Sequence, residues 1–519
     1  MFGSIDANSS ASSTLSPLDR VAIAYLVLPL GIFLVGWFEV WAAVPLVACM
    51  AYALRPLVAR LPIGGARLPI TRLQLIVAVA VGCGWAIFGG TGHLVFTNSD
   101  WHIREAVLHD LVAGEWPVGY GVRGWAQSLL RAPIGYYLPA ALVGKWAGVL
   151  VAHFAMAAWT AMGATLFLLQ ILSLMPSRAT VVAMVVAVVV LFSGFDIVGN
   201  LLDVPRFIAH WDIARNLEWW AGSYQYPSMT TQLFWAPNHA LGGWLTIGLL
   251  CRDQRGTPLD SVLPIVVVAV ALWSPLAVIG ILPFVVWKAA VTMVREHPWK
   301  LLDPRVWAPA FVVGVVVAAY LTLDAGGIQR SWTVGGSGLG VADIAMDLLR
   351  QAQFFLLEAG IIGFAILAIR RSSQVVLALV ILALMPLVSF GPGNDLVMRS
   401  SIPSLTVLAI AACLALSRDA RSGGTVRKKV VLGSFLAVGA VTPFQEFARA
   451  AVLPSWPINL QATLIGAACG QFPEHYVARL GNQVVARLLR RPHPLPLGPI
   501  SYQACVNPAI GLMLERGLP

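Results

Sequence analysis

From Ser261 to Trp287 the chain runs without one charged side chain. A stretch so long and apolar cannot face water, and at about 20 residues per crossing it points to helices that span a bilayer. The composition agrees. Charged residues are 11% of the 519, whereas a soluble chain carries about a quarter. The formal charge of +10 is no nucleic-acid footprint, because the basic residues sit in short runs between apolar segments, which is the pattern of topology signals.

The fold class expected is therefore an all-α polytopic membrane protein. Hydropathy predicts about thirteen segments, near 21–37, 40–54, 73–95, 147–173, 179–199, 238–251, 259–273, 276–294, 306–323, 352–370, 374–390, 401–417 and 429–443. The charge-free stretch is divided at Trp273-Ser274-Pro275, since Pro removes a backbone donor and favours a bend. One kinked span plus a surface helix is the alternative there. Arg55, Arg60, Arg67, Arg72, Arg178, Arg252, Lys288, Arg370, Arg371 and Arg427 to Lys429 fall in one set of short loops. Most acids fall in the other set. The positive-inside pattern then puts the N-terminus in the cytoplasm and, with an odd number of spans, the C-terminus outside. Three parts follow: a cytoplasmic tail over 1–20, a membrane domain over 21–443 and an outer segment over 444–519.

Six cysteines occur without a CxxC. Cys49, Cys83, Cys251 and Cys413 lie in apolar segments, where Cys is a small core residue. Cys469 and Cys505 lie in the outer segment and are expected to form a disulfide in an oxidising compartment.

Two outer loops, near 96–146 and 200–237, are too long to be connectors. The first begins FTNSDWHIREAVLHDL. Ile103, Val107, Leu108 and Leu111 recur at helical spacing, which predicts a short amphipathic helix on the membrane surface with His102, Glu105 and His109 on its polar face. Asp100 reads either as a helix cap paired with Arg104 or as an acid at a catalytic centre. His102 and His109 are too few to frame a metal site. The loop closes with APIGYYLPAALVGKWAG, where Tyr136, Tyr137 and Lys145 are interfacial anchors or contacts to a lipid phosphate. The second loop crowds Trp211, Trp219, Trp220, Tyr224, Tyr226 and Trp235 among Arg206, His210, Asp212 and Glu218. Aromatic faces beside hydrogen-bonding groups suit a sugar as well as an interface. Asn238 and His239 follow at the mouth of the next span. Arg330 lies in a Gly-rich turn without a phosphate-loop ending. The turn GPGNDLVMRSSIP sets Asp395 and Arg399 one helical turn apart, as an ion pair or with Arg399 as a phosphate clamp.

The strings SDWHIREAVLHDL, YYLPAALVGK, WAPNHALGGW and GPGNDLVMRSSIP resemble those of bacterial multi-spanning proteins of the GT-C superfamily of membrane glycosyltransferases, over roughly residues 20–410. The resemblance implies a plasma-membrane enzyme that moves a sugar from a polyprenyl-phosphate carrier to a glycan or lipid acceptor on the outer face. It implies a catalytic role for Asp100. Some relatives pair Asp with Glu at this position, whereas this chain has Asp-Trp with Glu105 further on, so a divalent cation stays open. On that reading Asp100 is the general base, Arg399 and Lys145 meet the leaving phosphate, with Arg330 and Arg206 in second place, and His102 or His239 orients a partner. The rivals are a transporter or flippase of a lipid-linked glycan and a non-catalytic scaffold. Transporters keep polar groups at mid-membrane, and here only Asp196, Glu358 and His153 come close. A cytoplasm-only reporter fused after Arg427 is expected to give signal, and one fused after Gly470 none; the reverse would refute the orientation.

Overall fold

A computed structural model of the chain describes residues 15–58, 70–121, 128–209, 211–253, 259–296, 303–328, 330–334, 340–391, 393–417, 423–468, 475–481 and 484–495. Helices dominate, and they follow the apolar segments. α1 (Pro17–Trp37) and α2 (Val40–Val58) form a tight hairpin, and α3 (Arg72–Phe88) leads into the first long loop. That loop holds α4 (Asp100–Ala113), β1 (Val118–Tyr120), β2 (Ser128–Leu130) and α5 (Leu138–Ala147). α6 (Val149–Leu172) and α7 (Ala179–Leu191) precede the second long loop, with α8 (Asp196–Leu201), α9 (Val204–Ala209) and α10 (Met229–Trp235). Then come α11 (Pro237–Arg252), α12 (Leu259–Trp273), α13 (Pro275–Glu296), α14 (Pro304–Leu321) and β3 (Arg330–Trp332). α15 (Val341–Phe355), α16 (Ile361–Ile369), α17 (Ser373–Leu384), β4 (Val388–Phe390), α18 (Asp395–Ser400) and α19 (Ile402–Ser417) follow. α20 (Gly423–Gly439) and α21 (Val441–Val452) lead to a C-terminal part with α22 (Leu464–Ala467), β5 (Val477–Arg479), α23 (Val484–Leu488) and β6 (His493–Leu495).

Among the described residues, eight helices are long and apolar enough to cross a membrane: Pro17–Trp37, Val40–Leu57, Val149–Leu172, Pro275–Val294, Pro304–Leu321, Val341–Ile369, Asp395–Ser417 and Gly423–Val452. Four shorter apolar helices, Arg72–Phe88, Ala179–Leu191, Leu259–Trp273 and Ser373–Leu387, accompany them. The chain does break at Ser274, whose hydroxyl caps the following helix through the Ala277 N–H at 2.9 Å. The last of these candidates runs on to Val452.

The interior is packed with indoles, and several of them satisfy their N–H on a nearby acceptor, as burial away from water favours. Trp85 stacks on Trp244 (5.1 Å between ring centres) and donates to Thr230 Oγ1 at 3.0 Å. Trp244 donates to Gln232 Oε1 at 2.7 Å, and Trp273 to the Leu26 carbonyl at 3.0 Å.

The two ends of the bundle differ. At one end short ion pairs tie α1 to α11, with Arg252 Nε 2.7 Å from Asp19 Oδ1, and α11 to α13 through Lys288 and Asp253. At the other end the two long loops and the C-terminal part pack together. A four-stranded sheet in the order β5-β2-β1-β6 joins the first loop to the C-terminal part, with β1 parallel to β6 and β2 antiparallel to β5. The C-terminal part therefore supplies both edges of a sheet whose centre comes from the first loop.

α3 and α6 touch closely at Gly82, where a Cβ would fall 2.9 Å from the Thr165 backbone nitrogen. Gly82→Val should therefore lower the melting temperature in detergent by several degrees, an overpacking cost of roughly 1–3 kcal/mol. Gly84→Val, where a Cβ meets nothing within 4 Å, should leave it near wild type. Equal melting temperatures for the two variants would refute this packing.

Candidate functional site

The site is built around the start of α4. The break between α10 and α11 prepares it. Pro237 is the first residue of α11 and disfavours helical backbone in the residue before it, so α10 ends with its cap residue Ala236 (φ −143°, ψ 52°). The Phe234 and Trp235 carbonyls, left without helical partners, turn to α4. Phe234 O accepts from Asn98 Nδ2 at 2.8 Å and from Trp101 Nε1 at 2.9 Å. Trp235 O accepts from Arg104 at 2.5 Å, and the same guanidinium donates to Asn238 Oδ1 at 2.7 Å. Arg104 is 4% exposed.

Asp100 opens α4 but does not cap it through its side chain. Ser99 holds the cap position, and the Asp100 N–H donates to Asn98 Oδ1 at 3.1 Å. The Asp100 carboxylate lies 3.4 Å from Arg104 and stays 48% exposed. It is held on one side and open on the other.

A second guanidinium comes from the Gly-Pro-Gly-Asn turn. Gly391 (φ +83°) and Asn394 (φ +54°) adopt left-handed backbone, which Gly and Asn tolerate best. They launch α18, on which Arg399 sits 2.9 Å from Asp395. The Ser400 hydroxyl anchors that turn to the Leu276 carbonyl at 2.7 Å. Arg104 Nε and Arg399 Nε are both buried without a hydrogen-bond partner. His239, 2.6 Å from Ser274 Oγ and 3.2 Å from Asn238, lies within electrostatic reach of both guanidiniums.

Tyr476, from the turn before β5, joins this group. Its phenol feels the charges of Arg104, Arg399, Asp100 and Asp395. Burial pushes that phenol up, so it stays a donor at neutral pH. Tyr137 stands beside Arg104, and burial raises its phenol to about 12 against the pull of that guanidinium. Two carboxylates, two guanidiniums, an imidazole and two phenols from five stretches of chain thus share one end of the bundle.

The amphipathic reading of α4 is corrected. The helix does not lie on a surface with a wet polar face, since Glu105 and Asp110 are fully buried. The C-terminal part covers that face. Glu105 meets His93 Nε2 and accepts from the Asn459 N–H at 2.9 Å. His93 Nδ1 donates to the Trp456 carbonyl at 2.7 Å, which leaves Nε2 and the carboxyl to share one proton. His102 stacks on Trp456 with ring centres 4.0 Å apart, and its Nε2 is buried without a partner. His153 Nε2 meets the Asn459 carbonyl at 3.2 Å. Asp110 accepts from Tyr120 at 2.8 Å and from the Leu464 N–H at 2.9 Å. Burial raises Glu105 to about 8, offset in part by the Asn459 N–H. Burial also lowers His93, opposed by its bond to the Trp456 carbonyl.

The remaining candidates scatter. Tyr136 is a core residue, its hydroxyl 2.6 Å from Thr160 Oγ1. Lys145 caps the far end of α4, donating to the Gly114 carbonyl at 2.5 Å. α4 has 14 residues, so at 1.5 Å per residue Lys145 is about 20 Å from Asp100. Arg206 is exposed on α9. Arg330 is exposed on β3, its guanidinium 5.9 Å from the Phe390 ring centre. Among the described residues neither hydrogen-bonds to the group around Asp100. No set of three or more His, Cys, Asp or Glu side chains among the described residues could hold a metal ion. Cys469, Cys505 and His210 lie outside the described residues. Sequence reasoning missed Tyr476, Trp456 and His93, for which no local motif exists. It saw Arg104 only as a partner for Asp100.

The chain matches no protein-family model, no curated protein and no solved structure.

Glu105 gives a pH test. Its folded pKa, about 8, lies above the unfolded value of 4.5. The stability it contributes is therefore complete below pH 4.5 and lost as pH rises through 8. His93 acts in the opposite sense, its lowered pKa costing stability as pH falls through 6.5, so the range from pH 7 to 9 isolates Glu105. Hydrogen exchange at 456–464, corrected for intrinsic base catalysis, should speed up from pH 7 to 9 in the native protein and not in Glu105→Gln. Identical profiles would refute the proton-sharing pair.

Proposed function

We propose that this chain is a membrane glycosyltransferase that takes a sugar from a polyprenyl-phosphate carrier and passes it to an acceptor hydroxyl on the outer face. One observation carries the reading: a half-exposed carboxylate, Asp100, stands beside two guanidiniums, Arg104 and Arg399, each with a buried Nε lacking a hydrogen-bond partner. A base next to cations is what displacement at a phosphate-activated sugar needs. The resemblance of the four strings to GT-C proteins adds to it.

In this reading Asp100 accepts the proton of the acceptor hydroxyl as its oxygen bonds to the anomeric carbon. The carbon–oxygen bond to the phosphate breaks, and the phosphate leaves with that electron pair. Arg399 and Arg104 meet the growing charge, in the planar fork that suits a phosphate. Tyr476 and Tyr137, protonated at neutral pH, donate further hydrogen bonds. One displacement inverts the anomeric centre. Arg104 takes a part that no local motif assigns it, and Lys145 drops out because it lies about one helix length away.

The GT-C pattern puts this site, both long loops and the C-terminal part outside the cell, with about thirteen spans in the plasma membrane. Packing of the C-terminal part on the first loop supports their sharing a side. One observation favours a transporter instead: Asp196 and Glu358 are buried side by side, with Glu358 on a π-turn, Leu356–Gly360, inside a spanning helix. π-turns often mark functional sites.

Asp100→Asn separates the readings. Purified protein in liposomes with polyprenyl-phosphate hexoses should lose about 10²–10⁴-fold in turnover, with unchanged melting temperature and retained carrier binding. Arg399→Lys should lose turnover too, because an ammonium lacks the planar fork. Wild-type turnover in Asp100→Asn, or a product that retains the anomeric configuration, would refute the mechanism.

A further inference from the structure

We infer that a groove between α1, α2 and α6 is a seat for one molecule of an anionic glycerophospholipid, separate from the site around Asp100. The groove has a volume of about 970 Å³. Its walls are apolar, formed by Val21, Leu28 and Val35 of α1, Met50 and Leu57 of α2, and Met162 of α6. It follows α1 from Val21 to Gly36, about 22 Å at 1.5 Å per residue. That is most of a hydrocarbon core about 30 Å thick, and long enough for an extended acyl chain.

The mouth is what selects the occupant. Trp116, Lys145 and Arg490 line it. Lys145 Nζ lies 5.0 Å from the Trp116 ring centre and donates to the Gly114 carbonyl. Arg490 Nε and a terminal nitrogen donate to the Phe38 and Val35 carbonyls, at 2.9 and 3.0 Å. An ammonium has three donors and a guanidinium five, so each keeps donors to spare. Among the described residues no carboxylate lies within ion-pair distance of either. Glu115, whose charge Lys145 feels, turns instead to His493 at 3.3 Å. Two cations flanking an interfacial Trp at the open end of an apolar channel match a phosphate headgroup with a chain behind it. Two cations without an ion-pair partner among the described residues favour a headgroup with net negative charge over a zwitterion.

The groove's occupant is not the molecule whose phosphate meets Arg104 and Arg399. Lys145 sits at the C-terminal end of α4 and Asp100 at its N-terminal end, about 20 Å away. A phosphate held at the mouth of the groove is out of reach of that site. The inference does not depend on glycosyl transfer and stands or falls by lipid retention alone.

Native mass spectrometry of the full chain, reconstituted with equal phosphatidylglycerol, phosphatidylcholine and polyprenyl phosphate, tests it. One retained phosphatidylglycerol per chain is expected. Lys145→Glu should reduce that adduct by roughly tenfold or more. Ala24→Phe fills the groove from an exposed position without touching the cations, and should lose the adduct with its melting temperature kept. Equal retention of phosphatidylglycerol and phosphatidylcholine, an adduct indifferent to Ala24→Phe, or preferential retention of polyprenyl phosphate over phosphatidylglycerol would overturn the assignment.

Discussion

Arg104 carries a full charge at 4% exposure, and the architecture of the loop end is arranged to accommodate it. Burying a charge costs several kcal/mol unless partners replace its water. The partners here are the Trp235 carbonyl, the Asn238 side chain and the Asp100 carboxylate. The first is a free acceptor because the chain leaves helical backbone at Ala236, ahead of Pro237. The second is on the next turn of chain. The third is the residue whose open side gives the site its base. Remove the interruption and the guanidinium loses its acceptors; remove the guanidinium and Asp100 loses the group that orients it. A buried guanidinium that loses its neutral acceptors has no water to replace them, so the Trp235 carbonyl and Asn238 tie α4 to α10 and α11.

The sequence is legible where a physical rule acts over a few residues. Apolar length marks the helices, because nothing but lipid or a protein interior tolerates such runs. Pro275 marks the break after Trp273, and the Gly-Pro-Gly-Asn string marks a left-handed turn that the structure contains at Gly391 and Asn394. WAPNHALGGW is readable in the same way, since Pro237 fixes where α11 starts and hence where the free carbonyls are.

It is illegible where the partner is remote. The face of α4 that carries Glu105 and Asp110 reads as a wet polar face from its own residues alone. It is dry because Asn459 and Leu464, some 350 positions on, donate their backbone N–H groups to those carboxylates. Tyr476 reaches the site for the same reason: β5 pairs with β2, and the turn ahead of it delivers the ring. A pairing between short strands so far apart leaves no periodicity behind. Buried carboxyls are therefore the residues most easily misread, because burial reverses what a charge pattern implies about exposure.

These remote contacts also explain why the two ends of α4 differ in character. At its N-terminal end, Asp100, Arg104, Arg399 and Tyr476 form a crowded polar site in which most charges already have an opposite charge nearby. At its C-terminal end, Lys145 and Arg490 border an apolar groove, bonded to carbonyls and, among the described residues, with no carboxylate at ion-pair distance. A helix dipole offers a reason for the asymmetry, since the C-terminal end attracts cations and the N-terminal end anions. Lys145 on the Gly114 carbonyl and Asp100 in the first turn both obey it. A cation that only completes a helix end keeps most of its charge for something else. In an apolar groove facing lipid, the available anion is a headgroup. Where Asp100 sits, the cations are balanced, and what remains is a carboxylate with one side open.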